Sequence, residues 1–146
     1  MAGETIVVWG TTKTLEANGS AVGALSAPLA NDASYSVVSD GGGYPDAEFM
    51  LSATWASAPS AGMAVQLFAV PLDIDGTNDA EANVSFGVGV LVGSFIVNNV
   101  TSTQYMRCAG TDLPKLANYY LYNTSGQTIS AGWTLKVTPK SYSTAV

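Results

Sequence analysis

A chain of 146 residues is long enough to bury a real core in one domain, yet it is 47% hydrophobic and only 11% charged. Its net charge of −6, with five scattered basic residues (Lys13, Arg107, Lys115, Lys136 and Lys140), excludes the cation clusters that nucleic-acid phosphates require. The absence of histidine removes the commonest general base, the ordinary triad and most zinc sites, and the single Cys108 allows no internal disulfide and no CxxC metal site.

In chain order, "MAGETIVVWG" has no basic segment ahead of an apolar stretch and cleavage site, so the protein is expected to be soluble and made in a cytoplasm without processing. "ETIVVWG" reads as a strand. From Thr11 to Ala33 the chain is rich in small residues, and Leu15, Val22, Leu25 and Leu29 are its only sizeable apolar groups. Ordering each residue costs roughly 1–2 kcal/mol, which so few side chains do not offset by packing alone. Two readings follow. Residues 1–33 form a strand and an arm ordered against a neighbour, ahead of a sandwich domain at 34–146, or they form a first strand and long loop tied to the same domain. In the first reading Trp9, Leu15, Leu25 and Leu29 are candidate partner-binding residues.

"ASYSVVS" is the next candidate strand, and "SDGGGYPDAEF" is a loop whose glycines permit tight turns. It resembles a phosphate cradle only superficially, because the lysine and following helix are missing. "AEFMLSATW" alternates, with Phe49, Leu51, Ala53 and Trp55 opposed to Glu48, Met50, Ser52 and Thr54. "MAVQLFAVPLD" is apolar on both faces, as in a central strand or one covered by another chain. In "VSFGVGVLVGSFIVN" the alternation slips after Gly93, which predicts a bulge or bend near Gly93–Ser94. This longest apolar run, Val84–Val97, is too short and too glycine-rich to span a membrane.

"STQYMRCAG" and "NYYLYNTS" are further strands. In the second, one of the pairs Tyr119/Leu121 and Tyr120/Tyr122 faces the core, and the other faces solvent or a partner. That makes Tyr120 and Tyr122 candidates for partner binding. "NTSGQT" reads as a hairpin-type connection to "GWTLKVTPK", where Trp133, Leu135 and Val137 oppose Thr134, Lys136 and Thr138, and Pro139 stops or edges the strand. Seven or eight strands with turn signals about every ten residues, and almost nothing helical, predict an all-β antiparallel sandwich or barrel.

The chemical candidates are few. Asp73, Asp75 and Asp79 cluster in "DIDGTND", but Gly76 comes too early and no Glu stands twelfth, so the EF-hand pattern fails. Those acids with Asn78 are candidate ligands for a weak cation; the competing and favoured reading is a polar turn. Paired carboxylates such as Asp46 with Glu48, or Asp73 with Asp79, have no supporting motif for acid–base work. Cys108, with no histidine to activate it, reads as a packed thiol. No enzyme activity and no cofactor are expected.

Three stretches carry a resemblance: "GGGYPDAEFMLSATWASAPSAGMAVQLFAVPLDIDGTNDAEA", "VGSFIVNNVTSTQYM" and "SGQTISAGWTLKVTPKSY". Over about Gly41 to Tyr142 the chain resembles a group of small virion proteins of tailed bacteriophages. The resemblance implies a jelly-roll-like β-sandwich on the phage particle, most plausibly a head decoration (cement) protein, often trimeric, that clamps major-capsid subunits. The competing expectation is a receptor- or glycan-binding module of a fibre, spike or tail, using exposed aromatics as sugar platforms.

Overall fold

The computed structural model describes residues 4–27, 29–72 and 89–144, and of residues 29–32 the backbone alone. The "DIDGTND" acids, Asp73, Asp75 and Asp79 among them, lie outside the described residues. Among the described residues nine strands form: β1 (Thr5–Trp9), β2 (Lys13–Gly19), β3 (Leu29–Ser36), β4 (Asp46–Ala53), β5 (Ala64–Leu72), β6 (Val90–Ile96), β7 (Gln104–Gly110), β8 (Leu116–Asn123) and β9 (Trp133–Thr144). No helix occurs among the described residues.

All the pairings are antiparallel, and they make two sheets. One runs β2-β9-β4-β7, with β1 on the extended end of β9; the other runs β3-β8-β5-β6. This is the wiring of a jelly roll, in which all consecutive strands from β2 onward except β5–β6 and the β1–β2 approach to β9 lie in opposite sheets. The expected sandwich is therefore present, with a defined strand order and one strand more than the eight foreseen.

The period-two patterns place the core. Phe49, Leu51, Ala53 and Trp55 are buried along and just after β4, as are Trp133, Leu135 and Val137 on β9. They meet Val65, Leu67, Phe95, Tyr119 and Leu121 from the other sheet in one cluster. Each large side chain buried in this way contributes about 1.5–3 kcal/mol relative to exposure. β5 lies centrally, between β8 and β6; its Val65, Leu67 and Ala69 face the core, and Phe68 on the other face stacks on Tyr120. The predicted bulge is there too. Leu67 pairs with Gly93 and Phe68 with Leu91, leaving Val92 as the extra residue.

Two local expectations are corrected. Pro139 does not end the last strand, because β9 continues to Thr144. Pro139 lies between the segments paired with β1 and with β2, and its carbonyl accepts from Gly10 N–H at 2.8 Å. In an antiparallel ladder one residue's N–H and C=O face the same neighbour, so the missing donor falls at the break between β1 and β2. Nor is "NTSGQT" a hairpin, since β8 and β9 belong to different sheets. The crossing is fixed by Asn123, whose Nδ2 donates to the carbonyls of Val22 at 3.0 Å and Gln127 at 2.7 Å. Asn123 Oδ1 accepts from Ser125 N and Oγ, and Ile129 pairs with both Val22 and Trp55.

The first third of the chain is joined to this body. β2 pairs with β9, and Leu15 and Val22 are fully buried in the core cluster. Of the two readings of this region, the pairing matches a segment tied to the same domain. Gly19 sits against the indole of Trp133, so close that a Cβ there would overlap the ring. Trp133 Nε1 in turn donates to Ser20 O at 2.7 Å. At the other end of the body, Lys13 Nζ bridges to Asp40 Oδ2 at 2.8 Å and donates to Ser34 O, tying β2 to the turn after β3.

Candidate functional site

Among the described residues, the first sheet ends at β1 on one side and at β7 on the other, and no further strand pairs with either. β4 begins at Asp46, opposite Lys140, so residues 141–144 of β9 pair only with β1. Thr5–Trp9 and Lys140–Thr144 thus form a two-stranded ribbon beyond the four-strand body. Ile6, Val7, Trp9 and Tyr142 are all about half exposed on it. Cross-strand partners share a face, so Val7 lies with Tyr142 and Trp9 with Lys140, whose Nζ stands 5.8 Å from the indole centroid. A two-stranded ribbon is marginal in water by itself, and a bare apolar edge is a template for pairing.

The opposite edge is β7. Its alternation puts Met106 and Gln104 inward and leaves Tyr105 71% exposed, with Arg107 beside it on the outer face. Beside this strand runs an open groove of about 340 Å³, lined by Ile96, Asn98, Val100 and the whole run from Thr103 to Arg107. The groove wall is preset by Gln104. Its Nε2 donates to the carbonyls of Asn98 at 2.9 Å and Val100 at 3.1 Å, and its Oε1 accepts from Asn98 N at 2.8 Å. A buried side-chain amide bonded in this way substitutes for a missing strand partner. Past Arg107 the edge closes, because Gly93 of β6 abuts the Cys108 side chain and Ala109 O. Arg107 reaches Glu48 at 3.5 Å, and with the arginine itself largely exposed the pair adds little stability.

The candidate partner-binding residues do not converge. Trp9 is on the β1 edge, and Leu25 is 71% exposed in the β2–β3 connection with a positive φ of 57°. Leu15 is fully buried in the core, so in this chain it packs the domain rather than facing a partner. The side chain of Leu29 lies outside the described residues, although its backbone pairs with Tyr120. Tyr119 and Leu121 are the core pair of β8. Tyr120, on the other face, is also fully buried and stacks on Phe68 with centroids 5.2 Å apart, and Tyr122 is partly buried. The groove residues Ile96, Asn98, Tyr105 and Arg107 were not singled out in the sequence, although the alternation in "STQYMRCAG" already sets Tyr105 and Arg107 on one face.

Burial, with Glu48 nearby, pushes the Cys108 thiol up to about 12, away from the thiolate that reactions need. Burial likewise raises Tyr35 to about 12, with Asp40 adding to it, and raises Tyr119 and Tyr120. Among the described residues no three His, Cys, Asp or Glu side chains gather to hold a metal ion. The arrangement is suited to recognition by contact: two sheet edges with unused backbone groups, each flanked by exposed apolar side chains.

No family model and no curated protein matches the chain. Among solved structures it is similar to a chain from "Structure of infectious bursal disease virus Gx strain", at 10% identity and a TM-score of 0.37. That similarity covers 99% of this chain and 38% of the viral one, so the chain spans well under half the length of the structure it matches.

Proposed function

We propose that this chain is a non-enzymatic structural protein of a tailed-bacteriophage virion, a head decoration (cement) protein that self-associates, as a homotrimer, and binds the assembled major-capsid lattice. The observation that carries the reading is the pair of sheet edges, β1 and β7, that no other described strand pairs and that carry the exposed Ile6, Val7, Trp9 and Tyr105 on a jelly roll. Its placement on the head of a phage rests on the resemblance of Gly41 to Tyr142 to small phage virion proteins. A ligand that binds only the assembled lattice stabilises it by mass action, which is how such a protein strengthens a shell without catalysis.

Co-sedimentation with expanded shells of the phage that encodes the chain tests this. Full-length protein is expected to saturate at a fixed ratio to capsid subunits, to ignore unassembled subunits and to raise the temperature at which shells break. Shells that sediment without it, together with selective binding on a glycan array, would replace this reading by a glycan-binding module of a fibre or spike. The role of the N-terminus is tested by deleting residues 1–9, not 1–33, because Leu15 and Val22 belong to the core.

A further inference from the structure

We infer that β1 of one copy adds as a strand to the open β7 edge of a second copy, head to tail, so that one sheet continues from subunit to subunit. β1 and β7 are the two terminal strands of the same sheet, β1-β9-β4-β7. They run in opposite directions, since β1, β9, β4 and β7 are each antiparallel to the next. A second copy in the same orientation therefore presents its β1 antiparallel to β7, which is the pairing every other strand in this sheet uses. Alternate backbone groups of an edge strand have no ladder partner, and strand addition satisfies them on both chains at once.

Length and face fix the register. β1 is five residues long, and the groove exposes the five residues Thr103 to Arg107 before Gly93 closes the edge at Cys108 and Ala109. Val7 and Trp9 share the face of Tyr142 and Lys140, the same sheet face that carries Met50, Tyr105 and Arg107. Matching faces within the open stretch sets Val7 opposite Tyr105, Thr5 opposite Arg107, and Trp9 at the Thr103 end. An aromatic–β-branched pair across antiparallel strands is a favoured one.

Charge points to a second copy as the occupant. The chain carries −6 overall, so copies repel over most of their surface. The two edges are the exception. Thr5–Trp9 is uncharged, Thr103–Arg107 holds one cation, and Glu4 precedes β1 at the Arg107 end of the pairing. A five-residue strand with half-exposed Ile6, Val7 and Trp9 buries less than the roughly 800 Å² per partner of a standard interface. A ring, in which each copy uses both edges, doubles that area, and head-to-tail contacts close into rings when the rotation allows.

The inference deepens the self-association in the reading above and does not need the shell. Intact pairing with no capsid binding overturns the cement role and leaves the pairing, whereas capsid binding by a monomer overturns the pairing and the self-association and leaves the cement role. Its test is site-specific cross-linking of full-length chains in a Cys108→Ser background. Val7→Cys and Tyr105→Cys variants are mixed under mild oxidation, since facing strand residues lie within disulfide reach. The mixture is expected to form disulfide dimers several-fold above either variant alone. A chain carrying both substitutions is expected to give a ladder ending in one closed species, whose size is the ring number. Equal cross-linking in the unmixed samples would mean like edges meet, and overturns the inference. So does the absence of cross-linking, with unaltered protein sedimenting as a monomer up to about 1 mM while circular dichroism shows all variants folded.

Discussion

At Gly19 a missing side chain makes room for the Trp133 indole, which lies directly across the β2–β9 pair. Gly19→Ala is expected to cost about 1–3 kcal/mol through displacement of that ring, and thermal melting should show a drop of several degrees. A melting temperature within one degree of the parent would mean that the ring and strand separate freely. A second residue runs the other way. The Tyr119 hydroxyl is buried with no hydrogen-bond partner among the described residues, and its ring packs between Tyr35 and Phe49. Removing an unpaired buried hydroxyl while keeping the ring is expected to be neutral or to stabilise by up to about 1 kcal/mol. Urea unfolding of Tyr119→Phe measures this, and a loss of more than about 1 kcal/mol would show that the hydroxyl is satisfied.

Between elements, the turn after β3 is anchored by Asp40, which accepts from Lys13 Nζ and from Ser36 N–H, both at 2.8 Å. Burial works to raise the Asp40 carboxyl, but the bonds from Lys13 and Ser36 and the lysine's charge outweigh it, so its pKa lies below the ordinary value. A carboxyl lowered on folding contributes its stability in full above its unfolded pKa, about 4, and loses it as pH falls through the folded value. Unfolding free energy measured from about pH 6 down to pH 2 should therefore fall less steeply in Asp40→Asn than in the parent; parallel curves would remove Asp40 from the acid response. The β8–β9 crossing depends on Asn123. Its side chain satisfies carbonyls on two segments, so Asn123→Ala is expected to cost at least about 1–3 kcal/mol. "NTSGQT" carries the residues of a hairpin turn, and only the sheet assignment of its flanking strands makes it a bridge across the sandwich. Turn chemistry is local, whereas the choice of strand partner is not.

For the whole molecule, the pairing of β2 with β9 and the burial of Leu15 lead us to expect the boundary between body and appendage near Gly10. Deleting residues 1–9 removes a strand that pairs only with the far end of β9 and whose apolar side chains are largely exposed. The shortened chain is expected to keep its far-UV spectrum and melt within a few degrees of the parent. Deleting residues 1–19 instead strips β2 from β9 and uncovers the side of the core where Leu15 and Trp133 are buried, and is expected to abolish cooperative unfolding. Equal tolerance of both deletions would place the boundary back at the end of the small-residue segment. Leu15 shows why composition misled here: sparse apolar residues can still be ordered when each falls on the inner face of a paired strand.

The sequence by itself determined the all-β class, the inward faces of β4 and β9 and the irregularity near Gly93, and it left β8 with two possible core faces and β5 as either a central or a covered strand. Each determined feature is written in a two-residue period or its interruption, which is a property of neighbouring residues. Only the tertiary structure decided the jelly-roll order, the pairing of β1 and β2 along one strand, and the groove between Ile96 and Tyr105. These depend on contacts between residues far apart in the chain, whose energies no local pattern records. The site follows the same division. Tyr105 and Arg107 were legible as one face of a strand, but that this strand ends a sheet, and so keeps an open edge, is settled by what lies beside it.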